Sequence, residues 1–592
     1  MGAEELGEQA AWPPETVAAL GKIIAVSGSR ATIGILPGAE NARTTVSKFV
    51  LIHSCKSRLI AVVTEVSLNV PPAAKEQGYR AVADMDLMGE LATGDGGTEQ
   101  FRRGVSEYPS IGDVATHLSS DEFRLIYKKS DSSTGTVGQL LQDPSIEAQI
   151  HIDEMLNKHF AVLGTTGVGK SSGVMVILQQ VLNARPDLRI FLLDAHNEYG
   201  RCFGEQAMVL NLRNLKLPFW LFNFEEIVDV FFGGRAGIEA EVAILTEVIP
   251  LAKVAYLRHR STDRSGAKRP DANTAGYTVD TPVPYMLTDL VALIDERMGK
   301  LENRSTRMIF HKLISRIEMV RSDPRYAFMF ENANVGGDTL SDVLIQLFRL
   351  IPGGKPMTVM QLAGFPAEVV DAVVSVLGRM AFDFGLWSDG ASQVLFVCEE
   401  AHRYASGDRS TGFGPTRRAF SRIAREGRKY GVFLGLVSQR PSELDPTILS
   451  QCSTLFVMRM ANDSDHAILR SAVSDAAANL LEFVPSLGTG EAFVFGEGVA
   501  LPTRLRFAEL PAHVRPFNEA ITNLRMAHGA VDLEFIASVI ERWRGTVSSR
   551  SRPEASSPEA QYEAQPVPPP VRSTGGIEAE RFSILKKPIS LR

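Results

Sequence analysis

The residues Gly164-Thr165-Thr166-Gly167-Val168-Gly169-Lys170-Ser171 have the types and spacing of G-x-x-x-x-G-K-[ST]. Glycine has no Cβ, so backbone N–H groups in such a loop can curl around phosphate oxygens. Lys170 offers a point charge to the β- and γ-phosphates, and Ser171 a hydroxyl to Mg²⁺. Ser172 follows in the first turn of the helix expected here, whose positive N-terminal end also favours an anion. The chemistry expected of the loop is the binding of ATP with Mg²⁺.

A second set of reactive groups ends an apolar run. Gln393-Val394-Leu395-Phe396-Val397-Cys398 leads into Glu399-Glu400-Ala401-His402. ATP hydrolysis at a phosphate loop needs one acid at a neighbouring strand tip for the Mg²⁺ hydration shell. It needs another to polarise the attacking water. Glu399 is assigned the first role, where Asp is commoner, and Glu400 the second. Asp194, His196 and Glu198 follow a third apolar run at i, i+2 and i+4, on one face if the segment is extended. They are read as groups coupled to the γ-phosphate, with metal ligation as the alternative; no second His/Cys cluster supports a metal site separate from Mg-ATP.

These groups need strands and helices to hold them. Phe160–Leu163 reads as a strand and Arg189–Leu193 as the next. Between them Val174, Ile177, Leu178 and Val181 mark one face of a helix over Ser171–Asn183. That is a βαβ unit, which implies a parallel sheet. Strand signals return at Met357–Leu362, Gln393–Val397, Val432–Val437 and Thr454–Met458. Residues 225–350 are mostly helical by periodicity, with a basic interruption at Arg258–Thr274 read as a loop. Upstream, the short apolar runs Ile23–Val26, Ala31–Leu36 and Leu59–Val63 alternate with turn residues, as in a small barrel or sandwich. No internal repeat is visible.

The expected class is α/β, with this organisation: 1–150 a β-barrel and connector, 151–225 the first part of an ATPase core, 226–345 a helical insertion, 346–510 the second part of the core, 511–545 a C-terminal helical lid, and 546–592 a disordered linker ending in a docking strand around Phe582–Leu591.

Bulk properties narrow the class. At 592 residues the chain is long enough for three or four domains. Its 44% hydrophobic and 22% charged residues are those of an ordinary soluble protein. No apolar run approaches the roughly 18 residues of a membrane span, and the N-terminus has no apolar h-region. Cys55, Cys202, Cys398 and Cys452 lie far apart, without metal or disulfide spacing. A cytoplasmic location without membrane contact is therefore expected. The formal net charge of −7 argues against a globally basic DNA coat, but local charge governs attraction to phosphates. Between Ala401 and Gly431 eight basic residues face only two acids. Arg418, Arg422, Arg425 and Lys429 have helical spacing and are expected to share one face.

Taken in order, the motifs resemble those of the HerA-type ATPases, hexameric RecA-like motors related to the FtsK DNA pumps. The resemblance rests on Lys158–Leu163 running into Gly164–Ser171, and on Asp194-Ala195-His196-Asn197-Glu198-Tyr199. It rests further on Glu399–Arg403, Ile423–Gly431 and Val437-Ser438-Gln439-Arg440-Pro441. Arg103-Gly104-Val105-Ser106-Glu107-Tyr108-Pro109 resembles part of the family's N-terminal barrel.

The resemblance covers about residues 20–510. It implies a homohexamer with ATP sites between subunits and double-stranded DNA in the pore. It also implies that Gln439 senses the γ-phosphate and that Arg425 acts as a transition-state arginine across the interface. Lys158 stands where many relatives have a basic residue, and Arg459 is a rival arginine on the strand after the sensor. A separate partner is implied, a NurA-type nuclease or a defence effector, in DNA end processing or anti-phage defence. An ATP-gated ring scaffold and a secretion or conjugation motor are the alternatives.

Overall fold

Short alternating strands build the N-terminal region. In the computed structural model the described residues are 19–516, apart from 37–44, 55–56, 94–98, 128–132, 212–213, 265–275, 332, 334–336, 352–353, 364, 366, 409–413 and 474–477; beyond 516 only 536, 537 and 540 are described. The expected lid, linker and terminal strand thus lie almost wholly outside the described residues.

The first sheet comprises β1 (Ala19–Ser27), β2 (Arg30–Ile35), β3 (Phe49–His53), β4 (Arg58–Ser67), β5 (Ala81–Thr93), β6 (Glu99–Arg103) and β7 (Val114–His117). Its order is β2-β1-β7-β3-β4-β5-β6, and β2 also pairs with β5, which closes a barrel. Side chains alternate across a strand with period two. Val50, Ile52, Leu59, Ala61 and Val63 accordingly fill the barrel interior. Their neighbours Phe49, Leu51, Ile60 and Val62 join the large core shared with the rest of the chain. Burial on both faces is why Leu59–Val63 reads as an unbroken apolar run.

The second sheet contains β8 (Thr134–Leu140), β9 (Glu147–His151), β10 (His159–Leu163), β11 (Arg189–Asp194), β12 (Ala207–Leu210), β13 (Met357–Gln361), β14 (Val394–Cys398), β15 (Val432–Ser438), β16 (Cys452–Met458), β17 (Glu491–Gly496) and β18 (Thr503–Phe507). The order is β12-β13-β11-β14-β15-β10-β16-β17-β18-β8-β9. From β12 to β16 the pairing is parallel; from β16 to β9 it is antiparallel. The fold is therefore α/β with an N-terminal barrel. One boundary differs from the sequence reading. Residues 134–151 do not belong to a barrel connector; β8 pairs onto β18 and β9 onto β8, extending the core sheet.

β10, β14 and β15 are buried throughout, as expected for parallel strands covered on both faces. Phe160 lies opposite Gly435 in register. A Cβ on Gly435 would stand 2.7 Å from the Phe160 ring, so only glycine admits that aromatic into the sheet. The insertion is helical, with Glu239–Arg264, Leu287–Gly299 and Arg304–Arg321 packed together. Its first helix runs on through Arg264, so the basic stretch expected as a loop from Arg258 starts within helical turns. Buried Glu226 anchors the insertion, accepting from Ser375 Oγ at 2.9 Å and Arg379 Nη2 at 3.0 Å on the core helix Ala367–Trp387.

Candidate nucleotide site

The loop Gly164–Ser171 joins β10 to the helix Lys170–Ala184. Gly167 has φ 78° and Gly169 φ 93°, conformations that L side chains rarely adopt. The loop is held from outside its own strand. Thr165 donates its N–H and its hydroxyl to the Arg459 carbonyl, at 3.2 and 3.1 Å, and Gly490 N–H donates to the Val168 carbonyl at 2.8 Å. Lys170 is buried, and among the described residues its ammonium has only the Gly164 carbonyl at 3.5 Å. Burial lowers its pKa, opposed by the charges of Glu400, Glu399 and Glu198.

Strand order explains the rest of the site. β15 lies between β10 and β14, so the residue just past its tip, Gln439, stands between the loop and the acids. Gln439 Oε1 accepts from Thr166 Oγ1 at 2.6 Å, and its Nε2 donates to Glu400 Oε2 at 3.0 Å. Glu400 is 5% exposed and has φ 51°, the left-handed region. A non-glycine residue held there costs about 1–3 kcal/mol and commonly marks a functional position. His402 Nδ1 lies 3.3 Å from Glu400 Oε2 and 3.2 Å from Ser438 Oγ. Burial lowers the His402 pKa, and a neutral ring protonated on Nδ1 donates to the carboxylate. His196 Nε2 lies 3.6 Å from the other oxygen of Glu400. Sequence reasoning had not given His402 a role, although the short E-E-A-H spacing was its available signal.

Glu399 is buried, accepts the Ala195 N–H at 3.2 Å, and has a pKa raised well above the usual range, first by burial and then by Asp194, Glu198 and Glu400. Asp194 accepts the N–H groups of Glu198 and Tyr199, both at 2.9 Å. It therefore acts on the site by folding the turn that carries His196 and Glu198. Burial pushes its pKa up to about 6. The Tyr199 hydroxyl, fully buried, lies beside Ser171 without completing a hydrogen bond of normal geometry among the described residues. A cluster of buried acids with one lysine suits a divalent cation carried by phosphates. Ser171 and Glu399 are the residues that would hold Mg²⁺.

Three expected residues lie elsewhere. Lys158 precedes β10 at the end opposite the loop and pairs with Glu497 at 2.9 Å, which removes it from the phosphate-contacting groups of its own subunit. Arg459 flanks its own loop, and its Nη1 reaches the Leu487 carbonyl at 3.4 Å. Arg425 ends the helix Gly414–Glu426. It is exposed, and no hydrogen bond or ion pair ties its guanidinium to a described residue. The basic face around it is not uniform. Arg418 pairs with Glu225, Arg422 lies 4.1 Å over the Phe382 ring and 3.5 Å from Asp383, and Lys429 falls in a following 3-10 turn.

A family model described as the central domain of helicase HerA matches residues 136–381. That match covers less than half of this chain. The chain is similar to a probable helicase of Methanocaldococcus jannaschii, 25% identical over 62% of this chain and 65% of that one. It is also similar to the DNA double-strand break repair helicase HerA of Pyrococcus furiosus, 25% identical over 67% and 72%. The HerA of Sulfolobus acidocaldarius is 27% identical over 68% and 74%. The first of these alignments spans just under two thirds of the relative's length. Among solved structures, VirB4 of Thermoanaerobacter pseudethanolicus aligns with TM-score 0.42 and 14% identity over 65% of this chain and 99% of that one. The plasmid coupling protein TrwB, in complex with ADP and Mg²⁺, aligns with TM-score 0.42 and 15% identity over 68% and 94%. Among the described residues no helix of this chain is long and apolar enough to cross a membrane.

Proposed function

We propose that this HerA-type ATPase is an ATP-driven double-stranded DNA translocase or helicase, working as a homohexameric ring that powers a separate nuclease or effector. The observation that carries the reading is the division of the ATP machinery between the two ends of β10. Lys170, Glu400 and Gln439 gather beyond Leu163, whereas Arg425 belongs to a helix whose Ala424 carbonyl is bonded to His159 at the strand's start. A strand rises about 3.3 Å per residue, so those ends are roughly 13 Å apart before the loop begins. Arg425 is therefore suited to a neighbour's nucleotide, and a closed ring of identical subunits supplies one at every interface.

In this reading Lys170 holds the β- and γ-phosphates. Ser171 and Glu399 would hold Mg²⁺, which would neutralise charge at the phosphates when bound. Glu400 orients the attacking water and takes its proton, steadied by His402. Gln439, bonded to both Thr166 and Glu400, relays the presence of the γ-phosphate to the base. Arg425 of the next subunit stabilises charge on the transferring phosphoryl group. The printed names of the archaeal relatives support DNA as the track.

The test is ATPase rate with and without duplex DNA. Stimulation by DNA that disappears in Lys170→Ala and Glu400→Gln is expected. No response to DNA, together with full partner activation by Glu400→Gln rings, would replace the motor with a scaffold.

A further inference from the structure

The chemistry above leaves several buried polar side chains unused, and one of them adjoins the phosphate-loop strand and the arginine helix together. His159 is 2% exposed, at the start of the strand that carries the phosphate loop. Its Nδ1 accepts the Leu434 N–H of β15 at 3.0 Å. The ring proton is thereby assigned to Nε2, which donates to the Ala424 carbonyl at 3.0 Å. Burial brings the pKa down to about 4, so the ring stays neutral and this pattern of donor and acceptor persists at ordinary pH.

The partner carbonyl is informative. The last carbonyls of a helix have no intrahelical donor and need one from outside. Ala424 lies in the last turn of Gly414–Glu426, and its carbonyl carbon is bonded directly to the nitrogen of Arg425. The Arg425 side chain is exposed and, among the described residues, untied. Its helix backbone is the part held in place, and β10 supplies a hydrogen bond to the peptide that precedes it.

We propose that His159 is a positioning residue for Arg425, fixing the last turn of the arginine helix to the phosphate-loop strand so that each subunit's own nucleotide strand sets the arginine it presents to its neighbour. This rests on Arg425 acting across the interface. His159 itself stands at the end of β10 opposite the phosphate loop.

Subunit mixing with the full-length protein tests it. The variants are His159→Phe, Lys170→Ala and Arg425→Ala, each assayed alone and in equimolar pairs. His159→Phe fills the space but leaves Leu434 N–H and Ala424 C=O unpaired. Its kcat is expected to fall about tenfold to 10²-fold with ATP affinity retained within about twofold, as for a reacting group displaced by an ångström or so. Mixed with Lys170→Ala it should regain ATPase, because its phosphate loop is intact and the partner's arginine is correctly held. Mixed with Arg425→Ala it should regain none. His159→Gln, which keeps a donor for Ala424, should recover most of the rate.

If His159→Phe does not assemble, His159→Asn is used instead. It keeps an acceptor for Leu434 but is too short to reach Ala424, and the same pattern is expected. The reverse mixing pattern, an unchanged rate, or a loss of ATP affinity matching the loss of kcat would overturn the proposal. A failure of Lys170→Ala with Arg425→Ala to regain activity is a different result. It would remove the trans-arginine reading itself, whatever His159 does.

Discussion

The two ends of β10 are built on opposite plans. Beyond Leu163 the reacting groups hold one another: Gln439 bridges Thr166 and Glu400, His402 approaches Glu400, and Asp194 folds the turn beside Glu399. All but Thr166 are buried or partly so. At the His159 end the backbone is fixed and the Arg425 side chain is untied among the described residues. Groups that must be preorganised within one chain are bonded to each other. On the proposed reading, a group meant for another chain is held only through its helix, because its partner arrives with assembly.

Substitutions at the two ends should separate accordingly. The largest effect is expected at the free end. Arg425→Ala should lower kcat by about 10³-fold or more while leaving ATP affinity in place; a matching loss of affinity would put Arg425 back at its own loop. Glu400→Gln, at the bonded end, should cost about 10²–10⁴-fold in kcat with ATP still bound, read by single-turnover hydrolysis and equilibrium binding. Gln439→Ala breaks both the Thr166 and the Glu400 contacts and should cost about 10²-fold. If it behaves like a surface change, the bridge is incidental.

A pH effect on stability is expected to be smaller. The folded Asp194 pKa, about 6, lies above its usual value. The folded state therefore binds the proton more tightly, and stability falls as pH rises through that window. The melting temperature of the nucleotide-free protein should drop between about pH 4 and 6 on this account, less so in Asp194→Asn. The smallest effect on ATPase is expected where the barrel meets the core sheet, away from the reacting groups. Arg103, which donates from the barrel to the Ala500 carbonyl at 2.9 Å and to Gly496, can be changed to Ala with loss of melting temperature but an unchanged ATPase rate.

The sequence made the bonded end legible because each of its groups sits at or just past the tip of a strand, in a short contiguous motif. Residues 164–171 and 399–400 needed only the rule that parallel strands point the same way, whereas Gln439 came from the family resemblance. What was hidden depends on pairing across long separations. His159 looks like one residue of an apolar strand until β15 and the arginine helix arrive from more than 260 positions away. Lys158, placed among the site residues by the family resemblance, stands at the end of the five-residue strand opposite the loop, paired with Glu497. The glycine-rich segment Thr134–Leu140 carries weak strand signals of its own. It becomes a strand because β18 offers its edge, with Gly138 passing so close to Arg506 that a Cβ would collide with the carbonyl there. Arg418 and Arg422 illustrate the same limit for charge. Their spacing suggested a free basic face, and Glu225 and Asp383 from other helices occupy them.

The most direct test of the shared site mixes two inactive proteins. Lys170→Ala lacks the phosphate grip and Arg425→Ala lacks the arginine. In a randomly mixed ring about a quarter of the interfaces join an intact loop to an intact arginine. ATPase well above the sum of the separate preparations is expected. Mixed rings of normal size with no regained hydrolysis would contradict a site completed by Arg425 of the neighbouring subunit.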